Sequence, residues 1–187
     1  MKKLFSFMIA TADGYYEGPN QEFDWPNVDE EFEEFSVKQL DEVDTLLFGR
    51  VTYQLMASYW PTPEAAEQND ARVVERMNNI SKIVASRTLD EAEWANTRLI
   101  RDVADELGKL KSEPGKDIAV FGSSNLTANL LGAGLVDELR IMVNPVLLGG
   151  GKSLFTGTDE TLRLKLLSSR PFDSGNVLLT YQPATSF

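Results

Sequence analysis

DIAVFGSSNLTANLL, residues 117–131, puts a strand, a turn and the start of a helix into one short run. Ile118, Ala119, Val120 and Phe121 are consecutive apolar residues, as expected of a buried strand. Gly122 then turns the backbone, and Asn125 to Leu131 carries apolar residues at helical spacing. A strand, a tight turn and a helix aim free N–H groups and the positive helix end at one point, which suits a phosphate. Ser123, Ser124 and Asn125 add side-chain donors there, or cap the helix.

The same arrangement recurs earlier. Thr45 to Phe48 (TLLF) is a buried-strand run ended by Gly49. Arg50, Val51 and Thr52 follow, then a helix carrying Tyr53, Leu55, Met56 and Tyr59 until Pro61 stops it. Thr52 is the expected N-cap, and Arg50 is either a solvated surface cation or an anion receptor. A third strand, Ile83 to Ala85, ends at Ser86 and Arg87. In open α/β sheets ligands sit at the carboxyl ends of strands, so three donor-rich turns past strand ends make a dinucleotide site plausible.

Around these lie the remaining elements. Lys3 to Ala10 is the expected first strand; MKKLFSFMIATADG imitates a signal peptide, but its apolar run is short and leads straight into DGYYEG. A long loop follows, rich in Gly, Pro, Asn, Asp and aromatics. From Val28, the residues Phe32, Phe35, Leu40 and Val43 fall near one face of a helix that Asp29 or Asn27 caps. Pro63 to Met77 reads as helical, Thr97 to Ile100 as a strand, and Val103 to Lys111 as an amphipathic helix. Leu135 to Val143 is strand-like, and VLLGGGKSLF supplies a strand fragment. Its three glycines either let backbone approach a ligand or form a mobile turn. Leu162 to Leu167 and Asn176 to Tyr181 read as an antiparallel pair. The alternation predicts an α/β fold with a mostly parallel central sheet and an antiparallel C-terminal hairpin. At 187 residues it is most simply a single domain, 1–187.

Composition narrows the chemistry. The net charge of −11 argues against nucleic acid or an anionic membrane as the main partner. The chain contains no Cys and no His. That removes disulfides, thiolate nucleophiles, Ser–His dyads and the usual zinc sites, and no metal site is expected. Proton chemistry falls to Asp, Glu, Tyr, Lys or water. A hydride carried on a cofactor needs no protein nucleophile, so the composition suits an oxidoreductase.

Four stretches in order carry a resemblance over nearly the whole chain: DGYYEG, DTLLFGRVTY, FGSSNL and GLVDELRIMVNPVLLGGGKSLF. Together they resemble the dihydrofolate reductase-like three-layer fold. They are more closely similar to the riboflavin-biosynthesis reductase domains that form the C-terminal half of bifunctional deaminase-reductases, as a stand-alone member. The resemblance implies a cytoplasmic, NADPH-dependent reductase of a small heterocyclic substrate, like 5-amino-6-(5-phosphoribosylamino)uracil reductase, with a homodimer as the expected assembly. The alternatives are dihydrofolate reductase activity, or a nucleotide- or flavin-binding module without turnover. Where the riboflavin reductases follow their second strand with an Asp–Asp–Pro after the Gly–x–x–Thr, Tyr53, Gln54 and Leu55 stand here. The Gly–Arg–x–Thr form looks more like dihydrofolate reductase itself.

By the resemblance, Gly49, Arg50 and Thr52 would meet the cofactor's phosphates, with Arg50, Ser86 and Arg87 around the adenosine 2′-phosphate. Gly122, Ser123, Ser124, Asn125 and Leu126 would receive the pyrophosphate. Thr11, Asp13 and Gly14 would lie near the nicotinamide, with Asp24, Trp25, Asp29 and Glu30 bordering the substrate. Asp13, Asp24, Asp29 and Glu30 are the candidate proton donors; turn and capping roles compete for each of them.

Overall fold

Strands buried on both faces read as unbroken apolar runs, and three such runs form the centre of one part of the molecule. Leu46, Leu47 and Phe48 in β3 (Val43–Gly49) are buried. So are Ile83 and Val84 in β4 (Ser81–Ala85), and Ile118, Ala119 and Val120 in β6 (Asp117–Phe121). The computed structural model describes residues 1–155 and 161–184. These fall into two compact units, Met1–Leu4 with Glu33–Ser123, and Phe5–Phe32 with Ser124–Phe187.

In the first unit the strand order is β5-β4-β3-β6, with β5 spanning Thr97–Ile100, and every pair is parallel. Parallel neighbours need crossovers, and helices supply them. β3 runs directly into α2 (Arg50–Tyr59), followed by α3 (Pro63–Gln68) and α4 (Ala71–Asn79); α5 (Val103–Ser112) precedes β6. The predicted helix over Pro63 to Met77 is therefore two. Asn69 is extended at φ −127°, and Asp70 restarts the chain as a new N-cap, accepting from the Arg72 amide. Thr62 and Asp102 cap α3 and α5 in the same way.

In the second unit the order is β1-β7-β10-β9. β1 (Leu4–Thr11) lies parallel to β7 (Glu138–Asn144), with Thr11 opposite Asn144. β10 (Val177–Pro183) is antiparallel to β7 and to β9 (Leu164–Pro171), which completes the predicted hairpin with shifted bounds. The fold is thus α/β with a mostly parallel sheet and antiparallel C-terminal strands. α6 (Ser124–Gly132) begins one residue earlier than its apolar spacing suggested. It is fixed to β1 by a buried hydroxyl pair, Ser6 Oγ to Thr127 Oγ1 at 2.8 Å.

Three further expectations change. Val43 opens β3 rather than closing the face of α1 (Glu30–Asp41). The long loop after β1 contains a short strand, β2 (Tyr15–Glu17), which pairs antiparallel with β8 (Lys152–Ser153). Asn27 does not cap α1. Its N–H donates to Asn144 Oδ1 at 2.8 Å and its carbonyl accepts from Asn176 Nδ2 at 3.0 Å, which fastens the loop to the ends of β7 and β10. Among the described residues, no helix is long and apolar enough to cross a membrane.

Candidate functional site

The first unit aligns its parallel strand ends. β3 and β4 run in register to Gly49 opposite Ala85, and β3 and β6 to Leu47 opposite Val120. Their C-terminal turns therefore emerge side by side, where open α/β sheets take ligands. Gly122 and Ser123 both adopt left-handed backbone, at φ +65° and +56°. That folds the β6 turn back against α2. The Gly49 amide donates to Ser123 Oγ at 2.9 Å, and the Ser123 amide donates to Thr52 Oγ1 at 3.1 Å. A Cβ on Gly122 would meet Thr52 Cγ2 at 3.3 Å.

Sequence reasoning brought Gly49, Thr52, Gly122 and Ser123 to one place, and they interlock. It misassigned Thr52. The N-cap of α2 is Gly49, without a side-chain cap bond; the helix starts at Arg50, so Thr52 lies in its first turn and its hydroxyl serves the other turn instead. Arg50 is exposed and reaches along its own helix to Gln54 Oε1 at 3.1 Å. Ser86 Oγ accepts from the Thr88 and Leu89 amides, which curls the chain past β4 and leaves Arg87 exposed.

The second unit holds the remaining candidates. Thr11 is buried; its hydroxyl donates to Asp13 Oδ1 at 2.6 Å and accepts from the Tyr15 amide. Asp13 also accepts from the amides of Gly149, at 2.8 Å, and Leu148, at 3.3 Å. The Thr11 hydroxyl and then the Gly149 amide hold its carboxyl below the ordinary carboxylate value. Asp29 caps α1 through the Phe32 amide at 2.8 Å, and Glu30 is exposed as the first helical residue. Asp24 is exposed between Phe23 and Trp25, whose rings meet edge to face at 5.5 Å. Ser124 is buried and donates to the Leu154 carbonyl at 2.6 Å; Asn125 is exposed and Leu126 half-buried.

Three residues escaped the sequence reading. Tyr16, Glu17 and Lys152 gather where β2 meets β8, with Glu17 and Lys152 ion-paired. The glycine run makes this meeting feasible. Gly151 sits at φ +137°, and a Cβ there would run into the Glu17 carbonyl oxygen. At Gly151, then, the close backbone approach is to β2. The two motifs were each visible, but nothing local announces that they pair.

The architecture defines a dihydrofolate reductase-like α/β protein whose strand-end turns are tied together by hydroxyls. Comparison fixes the family: the chain belongs to the RibD C-terminal domain family, which it matches over residues 2–178. It is 34% identical over 182 residues to the uncharacterized protein YyaP of Bacillus subtilis (strain 168), covering 96% of this chain and 94% of that one. Among solved structures it resembles a deaminase/5-amino-6-(5-phosphoribosylamino)uracil reductase from Thermotoga maritima, with TM-score 0.69, 15% identity and coverage of 98% of this chain and 57% of that one. It also resembles dihydrofolate reductase from Enterococcus faecalis, solved in complex with NADP(H) and RAB-propyl, with TM-score 0.64, 17% identity and coverage of 98% of this chain and 97% of that one. Family membership supports a reductase-like role.

Proposed function

We propose that residues 1–187 form one NADPH-dependent reductase domain that acts on a small heterocyclic substrate, in the manner of 5-amino-6-(5-phosphoribosylamino)uracil reductase. The observation that carries this reading is the interlocked pair of turns, Gly49–Thr52 and Gly122–Ser123, at the ends of adjacent parallel strands. Hydroxyl bonds fix these turns in advance, so little ordering cost remains when a ligand arrives. The residues fit a dinucleotide. Gly122 keeps the turn free of a side chain, and Arg50 and Arg87 are exposed guanidiniums in an otherwise acidic protein. Arg50, Ser86 and Arg87 would hold the 2′-phosphate. Gly49, Thr52 and residues 122–126 would hold the remaining phosphates, and Thr11 and Gly14 would border the nicotinamide. When bound, the cofactor supplies a hydride; the chain's own task is to bind, orient and provide a proton. Trp25 and Glu30 would border the substrate, and a homodimer belongs to the same reading.

Thermal unfolding with NADPH, NADH, FMN and folates is the test. NADPH at a hundred times its Kd should add about 2.7 kcal/mol of stability. NADPH oxidation against a panel of cyclic imines and carbonyls then reports turnover. Stabilisation by FMN alone would overturn the reading in favour of a flavin-binding module.

A further inference from the structure

A hydride delivered to a C=O or C=N carbon must be matched by a proton on the partner atom. Two of the carboxylates singled out by sequence are already committed to other bonds. Asp13 accepts three hydrogen bonds, which favour its ionised form. Asp29 is committed to the Phe32 amide. The β2–β8 junction offers a different acid.

Tyr15 stands opposite Ser153 and Glu17 opposite Lys152, so two steps along β2 match one along β8 and Tyr16 is the extra residue of a β-bulge. Bulges re-aim a side chain and recur beside active sites. This one is built on purpose-fitted backbone: Gly151 lets β8 reach Glu17, the Leu154 amide donates to the Gly14 carbonyl at 3.0 Å, and Asp13 clamps Leu148 and Gly149. Tyr16 is half-buried there. The groups that face it are Glu17 of β2, Lys152 of β8 and Ser124 at the start of α6.

We propose that Tyr16 is the proton donor of this reductase, with Lys152 as the positioning cation for the phenolate that remains; the inference rests on the nicotinamide-reductase reading above. The substrate carbon accepts the hydride and its electron pair from the reduced nicotinamide, and the π pair moves to the adjoining oxygen or nitrogen. That atom takes the Tyr16 hydroxyl proton as the O–H bond breaks. The substrate is reduced by two electrons, the nicotinamide is oxidised, and water returns a proton to Tyr16. Burial, and then the Glu17 carboxylate, push the Tyr16 phenol above its ordinary value of 10, against the opposing pull of Lys152 and Ser124. The phenol thus keeps its proton at neutral pH until the developing anion draws it away. The Glu17 pairing raises the Lys152 ammonium above its ordinary value, so the cation is present throughout.

The test compares wild type, Tyr16→Phe and Lys152→Met, using NADP⁺ as the probe. Ultraviolet difference titration of wild type against Tyr16→Phe should show one phenol ionising above the usual range. Lys152→Met should move it higher, and saturating NADP⁺ should move it lower, because a positive nicotinamide favours the phenolate nearby. With a turned-over member of the substrate panel, Tyr16→Phe should lose about a hundredfold or more in kcat with KM nearly unchanged, within the range for general acid catalysis. Wild-type kcat and pH profile in Tyr16→Phe would overturn the proposal, as would a Tyr16 titration that bound NADP⁺ does not move. Failure of wild type to bind either nucleotide would instead defeat the reductase reading, and this inference with it.

Discussion

Each unit of this chain has one glycine-centred junction that ties distant segments together, and the two are held by different forces. In the first unit, the turn at Gly122–Ser123 meets α2 through two hydroxyl–amide bonds beside buried parallel strands. In the second, β2 meets β8 through an exposed carboxylate clamp at Asp13 and the ion pair of Glu17 with Lys152. Neutral bonds next to a packed core are insensitive to salt, whereas the pair of partly buried Glu17 with exposed Lys152 is open to screening. In the reading proposed above, the hydroxyl-tied turns would receive the cofactor's phosphates and the charge-tied loop would border the substrate.

The comparison breaks most readily at Gly122. Gly122→Val places a branched side chain at φ +65° and against Thr52 Cγ2, 3.3 Å from the Cβ alone. Strain of this kind costs about 1–3 kcal/mol. If the turn escapes that strain by leaving its left-handed conformation, NADPH affinity, measured by fluorescence titration, should fall by about fivefold to a hundredfold in a variant that still folds, since each decade is about 1.4 kcal/mol. Unchanged affinity would remove the turn from the site. Arg50→Ala comes next. Among the described residues its guanidinium bonds to Gln54, one turn along the same helix, so removal should disturb the fold little. A charged hydrogen bond is worth about 1.5–3 kcal/mol, so NADPH should bind about tenfold to a hundredfold more weakly. NADH should hardly change, having no 2′-phosphate to lose. Equal small effects on both would return Arg50 to the role of a solvated cation.

How much of this was legible in sequence follows the same division. DIAVFG and TLLFG announce buried parallel strands because their apolar runs are local. Their turns could be read for the same reason. The interlock was not, because the Thr52 hydroxyl and the Ser123 amide are separated by 71 residues and no periodicity links them. At the other junction Asp13 and Gly149 are 136 residues apart, and neither DGYYEG nor GGGKSLF reveals its partner. Reading Thr52 as a cap failed because the helix begins two residues earlier, at Arg50, which puts Thr52 inside the first turn and leaves its hydroxyl to a distant amide. Tyr16 was overlooked because only pairing with β8 makes it the bulged residue.

The two lysines sharpen the comparison. Lys82 is 1% exposed, donates to the carbonyls of Met77, Asn78 and Ile80, and lies 4.4 Å from the centre of the Trp94 ring. Burial lowers it from 10.5 to about 8. The unfolded chain therefore holds this proton more tightly, and stability from this site rises as pH climbs from about 8 to 10.5. It is lost again as pH falls through about 8. Lys152 is raised instead, so its contribution is present at lower pH and fades as pH rises through its folded value. Urea unfolding at pH 7 and 9.5 should show wild type gaining on Lys82→Met, at a slope of up to about 1.4 kcal/mol per pH unit. Parallel behaviour of the two proteins would mean that Lys82 titrates normally.

The smallest effect is the sharpest probe of the interlock, and it lies at Ser123. This residue does two opposed things. Its hydroxyl accepts from the Gly49 amide, and its backbone sits at φ +56°, where a side chain is unwelcome. Ser123→Ala removes the bond and keeps the strain, so it should cost about 0.5–1.5 kcal/mol. Ser123→Gly removes the same bond but relieves the left-handed conformation, which glycine adopts freely. The greater freedom of glycine in the unfolded chain takes back part of that gain, about 0.4–1 kcal/mol. The glycine variant should therefore lie between alanine and wild type in thermal unfolding. Thr52→Val gives the second arm, since it strips the acceptor from the Ser123 amide. If the turns act as one interlocked unit, Thr52→Val and Ser123→Ala should be non-additive when combined, because contacting residues in one network couple. Strict additivity would reduce the junction to two independent bonds, and its rigidity would then have to come from the strands beneath it.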